Sequence, residues 1–139
     1  MTSSPTRPGI LETALYARDL GTAARFYADI VGLTEQSRVE GRHVFFRCEG
    51  SMLMLFNPDA TQETGSKLPV PPHGALGEGH VCFRAAPGEL DVWAAHLKNK
   101  GIAIEADFEW PNGARSIYVR DPANNSVEFA EAKLWGVEP

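Results

Sequence analysis

Two stretches of this chain follow the same plan. Leu11-Glu12-Thr13-Ala14-Leu15-Tyr16 leads through a polar turn into a helical stretch that stops at Gly32-Leu33. Gly79-His80-Val81-Cys82-Phe83-Arg84 leads through Ala86-Pro87-Gly88 into one that stops at Gly101-Ile102. The later halves also align, with Arg42-His43-Val44-Phe45-Phe46-Arg47 matching Arg115-Ser116-Ile117-Tyr118-Val119-Arg120. Self-similarity of this kind means one supersecondary unit built twice, which limits the architecture before any single residue is considered. It also says which polar side chains occupy equivalent places.

The local pattern gives the unit its content. Ile10 to Arg18 alternates like a strand, and Asp19 is placed to cap a helix whose apolar stripe includes Leu20, Ala23, Phe26, Tyr27 and Ile30. Gly32 supplies the stop, because glycine enters the left-handed region without a side-chain cost. Three short strands follow at Thr34–Val39, His43–Cys48 and Met52–Phe56, divided by Glu-Gly turns. The order is βαβββ, and it recurs: strand His80–Arg84, helix from Leu90 to Lys100, then strands over Ile102–Phe108, Ser116–Arg120 and Val127–Ala130. The chain thus divides into a polar, disordered leader (1–9), a first module (10–57), a proline-rich linker (58–78), a second module (79–131) and a tail (132–139). The class is α+β.

At 139 residues the chain is long enough for one domain made of two half-domains sharing a core. Its net charge of -5 offers no basic footprint for nucleic acid, and no apolar stretch is long enough to span a membrane. Cys48 and Cys82 lie in apolar strand-like runs without a CxxC spacing, and are read as buried thiols of a cytoplasmic protein.

Three residues stand out as chemistry. Side chains alternate along a strand, so Glu12 shares a face with Ala14 and Tyr16, and His80 shares one with Cys82 and Arg84. Glu128 interrupts the apolar pair Val127 and Phe129, where a carboxylate is costly unless paired, hydrogen-bonded or bound to a cation. The repeat superposes Glu12 on His80 and Met54 on Glu128. If the units pack about a pseudo-two-fold axis, these four positions converge, and three of them carry metal-ligand types. An imidazole with two carboxylates suits Mn²⁺, Fe²⁺, Ni²⁺, Co²⁺ or Zn²⁺ and leaves coordination positions open. Taken singly, each has a plainer reading as a solvated or hydrogen-bonded strand residue. Around them, Tyr118, Ser116, His43, Met54, Trp110 and the linker His73 are candidates to contact a substrate. Arg47 and Arg120, at matched strand ends, are either solvated or available to a carboxylate or phosphate.

The chain resembles the vicinal oxygen chelate superfamily of glyoxalases, bleomycin-resistance proteins and extradiol dioxygenases. The resemblance rests on Ala17-Arg18-Asp19-Leu20 before Arg25-Phe26-Tyr27 and Val31-Gly32-Leu33, on Gly79-His80-Val81-Cys82-Phe83, and on Ser116 to Pro122 with Asn124 to Glu128. It implies an open, barrel-like mixed sheet around a central cavity, a homodimer, and a divalent ion on Glu12, His80 and Glu128, with Glu128 and Glu12 as candidate catalytic groups. Two departures matter: Glu12 stands where His or Gln is commoner, and Met54 stands where glyoxalase I has a further oxygen ligand. The implied activity is metal-dependent chemistry on a small molecule with vicinal oxygens, lyase or isomerase rather than dioxygenase. The alternatives are a metal-free protein that sequesters a ligand, as bleomycin-resistance proteins do, and a degenerate family member with a structural or regulatory role.

Overall fold

The computed structural model describes residues 3–63 and 69–138. Each half of the chain folds as β-α-β-β-β, and each builds its own four-stranded mixed sheet. In the first, β1 (Glu12–Tyr16), β2 (Thr34–Val39), β3 (His43–Cys48) and β4 (Ser51–Phe56) stand in the order β1-β4-β3-β2. In the second, β5 (His80–Ala85), β6 (Ala106–Glu109), β7 (Arg115–Arg120) and β8 (Ser126–Glu131) stand in the order β5-β8-β7-β6. The first and last strands of each half are parallel neighbours, and the remaining pairings are antiparallel. The result is the expected α+β class, as two open sheets without a closed barrel.

Helix α1 (Leu20–Arg25) begins where Asp19 accepts from the backbone N–H of Thr22 at 3.1 Å and from its hydroxyl at 2.8 Å. It continues as a π-helical segment over Phe26–Val31 and closes at Gly32, whose φ of 87° is the left-handed geometry expected of that glycine. A short α2 (Pro58–Thr61) follows β4. Helix α3 (Leu90–Asn99) lies on β7 and β8, as α1 lies on β3 and β4.

One face of each sheet meets the helices in a common core. Leu15, Val44, Phe46, Leu53 and Leu55 come from the first sheet, Ile117, Val119, Val127 and Phe129 from the second, with Tyr27 and Leu97 from the helices. Polar bonds also cross between the halves. Tyr27 donates to Asp121 Oδ2 at 2.7 Å, His96 Nε2 donates to the Ile30 carbonyl at 2.7 Å, and Asn125 Nδ2 donates to the Tyr16 carbonyl at 3.2 Å.

Two local expectations change. The strand expected over Ile102–Phe108 begins only at Ala106, because the Ile102 N–H closes the end of α3 on the Leu97 carbonyl at 2.9 Å. Cys48 is half-buried and Cys82 exposed, both as free thiols, since an apolar-looking strand still buries only one face and Cys82 alternates outward with His80 and Arg84. In the tail, Trp135 is 80% exposed, while the backbone carbonyls of Lys133, Leu134 and Glu138 accept from Asn112 and Arg84. Linker residues 64–68 lie outside the described residues. No described helix is long and apolar enough to cross a membrane.

Candidate metal centre

The strand registers carry the repeat down to single residues. In the first sheet Ala14 pairs with Met54, and Met54 with Phe45; in the second Cys82 pairs with Glu128, and Glu128 with Tyr118. One step along, Glu12 pairs with Met52, and His80 with Ser126. Glu12 and His80 are therefore equivalent corners, and Met54 and Glu128 equivalent centres, of the two sheet faces turned away from the helices.

On the second sheet two candidate ligands meet. His80 Nε2 lies 3.3 Å from Glu128 Oε1. The other ring nitrogen, Nδ1, faces the Ser126 carbonyl at 3.1 Å and its hydroxyl at 3.2 Å. A carbonyl only accepts, so Nδ1 donates to it, and Nε2 is the ring nitrogen turned toward Glu128. Glu128 itself is 5% exposed. Its Oε2 accepts from the Ser116 hydroxyl at 2.6 Å, and Ser116 Oγ accepts from the Trp110 indole N–H at 2.8 Å.

The charge of this carboxylate adds to the effect of burial at two neighbouring groups. Burial, then the Glu128 charge, pushes the Cys82 thiol up to about 12 and the Tyr118 phenol also up to about 12. Both groups are thus neutral at pH 7. Tyr118 extends the wall, with its ring 6.2 Å from that of His80 and 5.9 Å from that of Phe108.

Other expected residues are elsewhere. Glu12 is exposed at the start of β1, and among the described residues no three His, Cys, Asp or Glu side chains gather closely enough to hold a metal. Within one chain, Glu12 does not join His80 and Glu128 in such a group. Met54 and His43 line the first sheet. There His43 stacks on Phe45 at 3.9 Å, meets Phe56 edge-on, and accepts from Arg42 at 2.7 Å. His73 reaches the same sheet, 2.7 Å from the Tyr16 hydroxyl and with its ring 4.6 Å from that of Phe56. Arg47 donates to Gln36 at 2.8 Å, and Arg120 is taken by Glu105 and Glu78.

Two clefts flank the linker rather than covering Glu128. One of about 350 Å³ lies between Tyr16, Arg18, Thr22, Leu76 and Glu78, and one of about 230 Å³ runs from Ala14 and Tyr16 past Gly79 to His80. Ser126 and Cys82 were not singled out from sequence, yet alternation along β5 and β8 already puts them on the faces of His80 and Glu128. The buried contacts of Asp121 and Asn125 had no such signal beyond turn chemistry.

The chemistry of the donor set fits a divalent ion. Two ligands about 2.1 Å from one ion at a tetrahedral angle stand about 3.4 Å apart, close to the 3.3 Å between His80 Nε2 and Glu128 Oε1. The remaining nitrogen and oxygen of the pair are each fastened by a neighbour, the outer-shell arrangement usual around metal ligands.

Known proteins share this architecture. The chain is 45% identical to a lactoylglutathione lyase from Agrobacterium tumefaciens, over 96% of this chain and 100% of that one, with a TM-score of 0.92. A glyoxalase/bleomycin resistance protein/dioxygenase from Nocardioides is 28% identical, over 98% of this chain and 90% of that one, with a TM-score of 0.73. A glyoxalase/dioxygenase from Nostoc punctiforme, 22% identical over 94% and 97% of the two chains, shares the fold with a TM-score of 0.64. No functionally curated protein matches the chain. Residues 9–129 match the family model as a whole, and the chain belongs to the Glyoxalase/Bleomycin resistance protein/Dioxygenase superfamily.

Proposed function

We propose that this protein is a metal-dependent enzyme acting on a small molecule with two vicinal oxygens, by lyase or isomerase chemistry, as a homodimer in the cytoplasm. His80 and Glu128 of one chain and Glu12 of a second copy would hold the ion, which is manganese, iron, nickel, cobalt or zinc. The observation that carries this reading is the 3.3 Å approach of His80 Nε2 to Glu128 Oε1 on an outward sheet face. Glu12 waits at the equivalent corner of the other sheet. The likeness to a lactoylglutathione lyase supports the lyase class, and the two free thiols fit a reducing compartment.

A divalent ion at this place supplies Lewis acidity to the substrate oxygens. The residues supply the rest. Ser126 orients the His80 ring, and Ser116 holds one oxygen of Glu128, so neither ligand has to reorganise when substrate enters. Of the two carboxylates, Glu12 is the exposed one, without a described side-chain hydrogen bond, and is the candidate to move a proton at the substrate. Tyr118 forms a neutral wall, and Met54, with the aromatic surface of His43, Phe45 and Phe56, excludes water from the opposite side.

Metal analysis of protein made without a histidine tag tests the proposal. About one ion per chain is expected, and Glu128→Gln should weaken binding at least ~10-fold. Any turnover of small molecules that carry two vicinal oxygens should fall with it. A folded wild-type protein that takes up none of Mn²⁺, Ni²⁺ or Zn²⁺ would sink the metal reading. The rival reading is a metal-free protein that sequesters an aromatic or cationic ligand. It draws on the stacked His43 and Phe45 rings and predicts tight binding indifferent to chelator.

A further inference from the structure

The hydrogen bonds behind Glu128 run in one direction only. An indole N–H donates and never accepts, so Trp110 must give its proton to Ser116 Oγ, 2.8 Å away. Ser116 has a single hydroxyl hydrogen, and Glu128 Oε2, at 2.6 Å, is the acceptor within its reach. Ser116 is fully buried and Glu128 nearly so. Water therefore does not compete for these groups, and a charge-assisted bond this short is among the stronger kinds. Trp110 is held from its other side. Its backbone N–H bonds the Ala114 carbonyl at 2.7 Å, its carbonyl takes the Gly113 N–H at 2.8 Å, and its ring meets Phe108 edge-on at 4.8 Å.

We propose that Trp110 and Ser116 are positioning residues. By holding Glu128 Oε2 they leave Oε1 as the single oxygen offered to the ion beside His80, and through the same bonds the Trp110 indole senses whether that oxygen is occupied. This assigns Ser116 and Trp110 a place behind the carboxylate rather than against the substrate. It rests on the metal reading above for the ion, but the orientation of Glu128 stands on the chain's own geometry. The first sheet has no counterpart, because Met54 occupies the place of Glu128 and His43 that of Ser116. The device therefore belongs to one half of the repeat alone.

The chemistry of the ligand follows. A carboxylate with one oxygen committed binds a cation through the other, which favours compact transition ions of low coordination number over Ca²⁺, whose larger shell often takes both oxygens. Removing the Ser116 hydroxyl frees Oε2 and lets the carboxylate turn, so discrimination between the two kinds of ion should fall.

The test uses the full-length protein and Zn²⁺, with Ca²⁺ as the contrasting ion, in wild type, Ser116→Ala, Ser116→Thr and Trp110→Phe. The indole ¹H–¹⁵N resonance of Trp110 is identified as the one missing from W110F. In wild type it should move on Zn²⁺ titration. In S116A it should stand at a new position in metal-free protein and no longer respond to Zn²⁺, while Zn²⁺ affinity falls ~10–100-fold and affinity for Ca²⁺ does not. S116T, which keeps a hydroxyl, should restore both the response and the affinity. A merely structural role would lower thermal stability in S116A without altering the Zn²⁺ to Ca²⁺ ratio or the indole response, and that result overturns the proposal. If wild type binds no Zn²⁺, the metal reading fails separately. The metal-free spectra then decide the positioning claim, which falls if the Trp110 resonance is the same in S116A as in wild type.

Discussion

At the level of residues, the two halves of the repeat have been given opposite characters by a few side chains. Met54 and Glu128 hold the same place, flanked by Ala14 and Phe45 in one sheet and by Cys82 and Tyr118 in the other. His43, at the place of Ser116, shows what the apolar version requires. A guanidinium has no lone pair, so Arg42 donates into His43 Nδ1 and the ring proton sits on Nε2, leaving a neutral imidazole stacked on Phe45. Burial and then the Arg42 charge push its pKa below the ordinary 6.5. The unfolded chain takes up a proton near that value, whereas the folded chain refuses it until the pH is lower. The stabilisation from His43 is therefore complete above 6.5 and lost as the pH falls. Urea unfolding from about pH 7 to about pH 5 should show a steeper loss of stability in wild type than in His43→Gln. The difference is bounded by the one-proton limit of about 1.4 kcal/mol per pH unit. Parallel curves would show that the ring is not held neutral. Much of this was legible in the sequence. Alternation placed His43, Ser116, Tyr118 and Glu128 on corresponding faces, and it equally implied Ser126 beside His80. The direction of the Trp110 side chain was not legible, because it depends on how the hairpin between β6 and β7 folds back, and no periodicity records that.

At the level of elements, the joint between the halves matters most. Asp121, in the turn between β7 and β8, receives the Tyr27 hydroxyl from the π-helical segment. It also receives the Ala123 and Asn125 backbone N–H groups at 2.9 and 2.8 Å and the Asn125 side-chain amide at 3.0 Å. Asn125 passes the connection on, accepting from the Gly79 N–H at 2.7 Å and donating to the Tyr16 carbonyl. Space at Gly79 is tight, since a Cβ there would lie 3.1 Å from the Leu15 Cδ2 atom and 3.2 Å from Asn125 Oδ1, and those side chains would have to give way. The buried Asp121 charge also raises the Tyr27 phenol far above its usual range, after burial itself. Tyr27→Phe removes one donor from a buried carboxylate that keeps three others. It should cost about 1.5–3 kcal/mol, read as a lower denaturation midpoint with an unchanged slope. A loss below about 0.5 kcal/mol would mean that Asp121 is satisfied without Tyr27. The turn itself could be read from Asp121-Pro122-Ala123-Asn124-Asn125, with Asn124 at a φ of 68° as asparagine tolerates. Its use as a tie between halves could not, because the partners are distant in sequence and belong to elements whose packing the pattern does not fix. The late start of β6 is of the same kind: the apolar residues Ile102 and Ile104 pack on the core without joining a ladder.

For the whole molecule, the question is how the proposed third ligand, Glu12, reaches His80 and Glu128. The halves of one chain meet through Tyr27, His96, Asn125 and the shared core, and among the described residues Glu12 does not group with His80 and Glu128. The repeat requires Glu12 and His80 to be equivalent, and a second copy arranged about a two-fold axis can satisfy that requirement where one chain does not. In such a dimer each site takes Glu12 from one chain and His80 with Glu128 from the other, so each chain serves two sites. Glu12→Ala and Glu128→Gln should each abolish activity as homodimers. Unfolding the two together and refolding them at random gives about half mixed dimers. Each mixed dimer has one site with both substitutions and one with neither, so about a quarter of wild-type activity should return. Sites completed within a single chain would yield none at any mixing ratio. Two-fold exchange also predicts that the recovered activity tracks the fraction of mixed dimers as the ratio is varied, rising to a maximum at equal amounts. A recovery already present before the chains are allowed to exchange would place the complementation outside the dimer and remove Glu12 from the site.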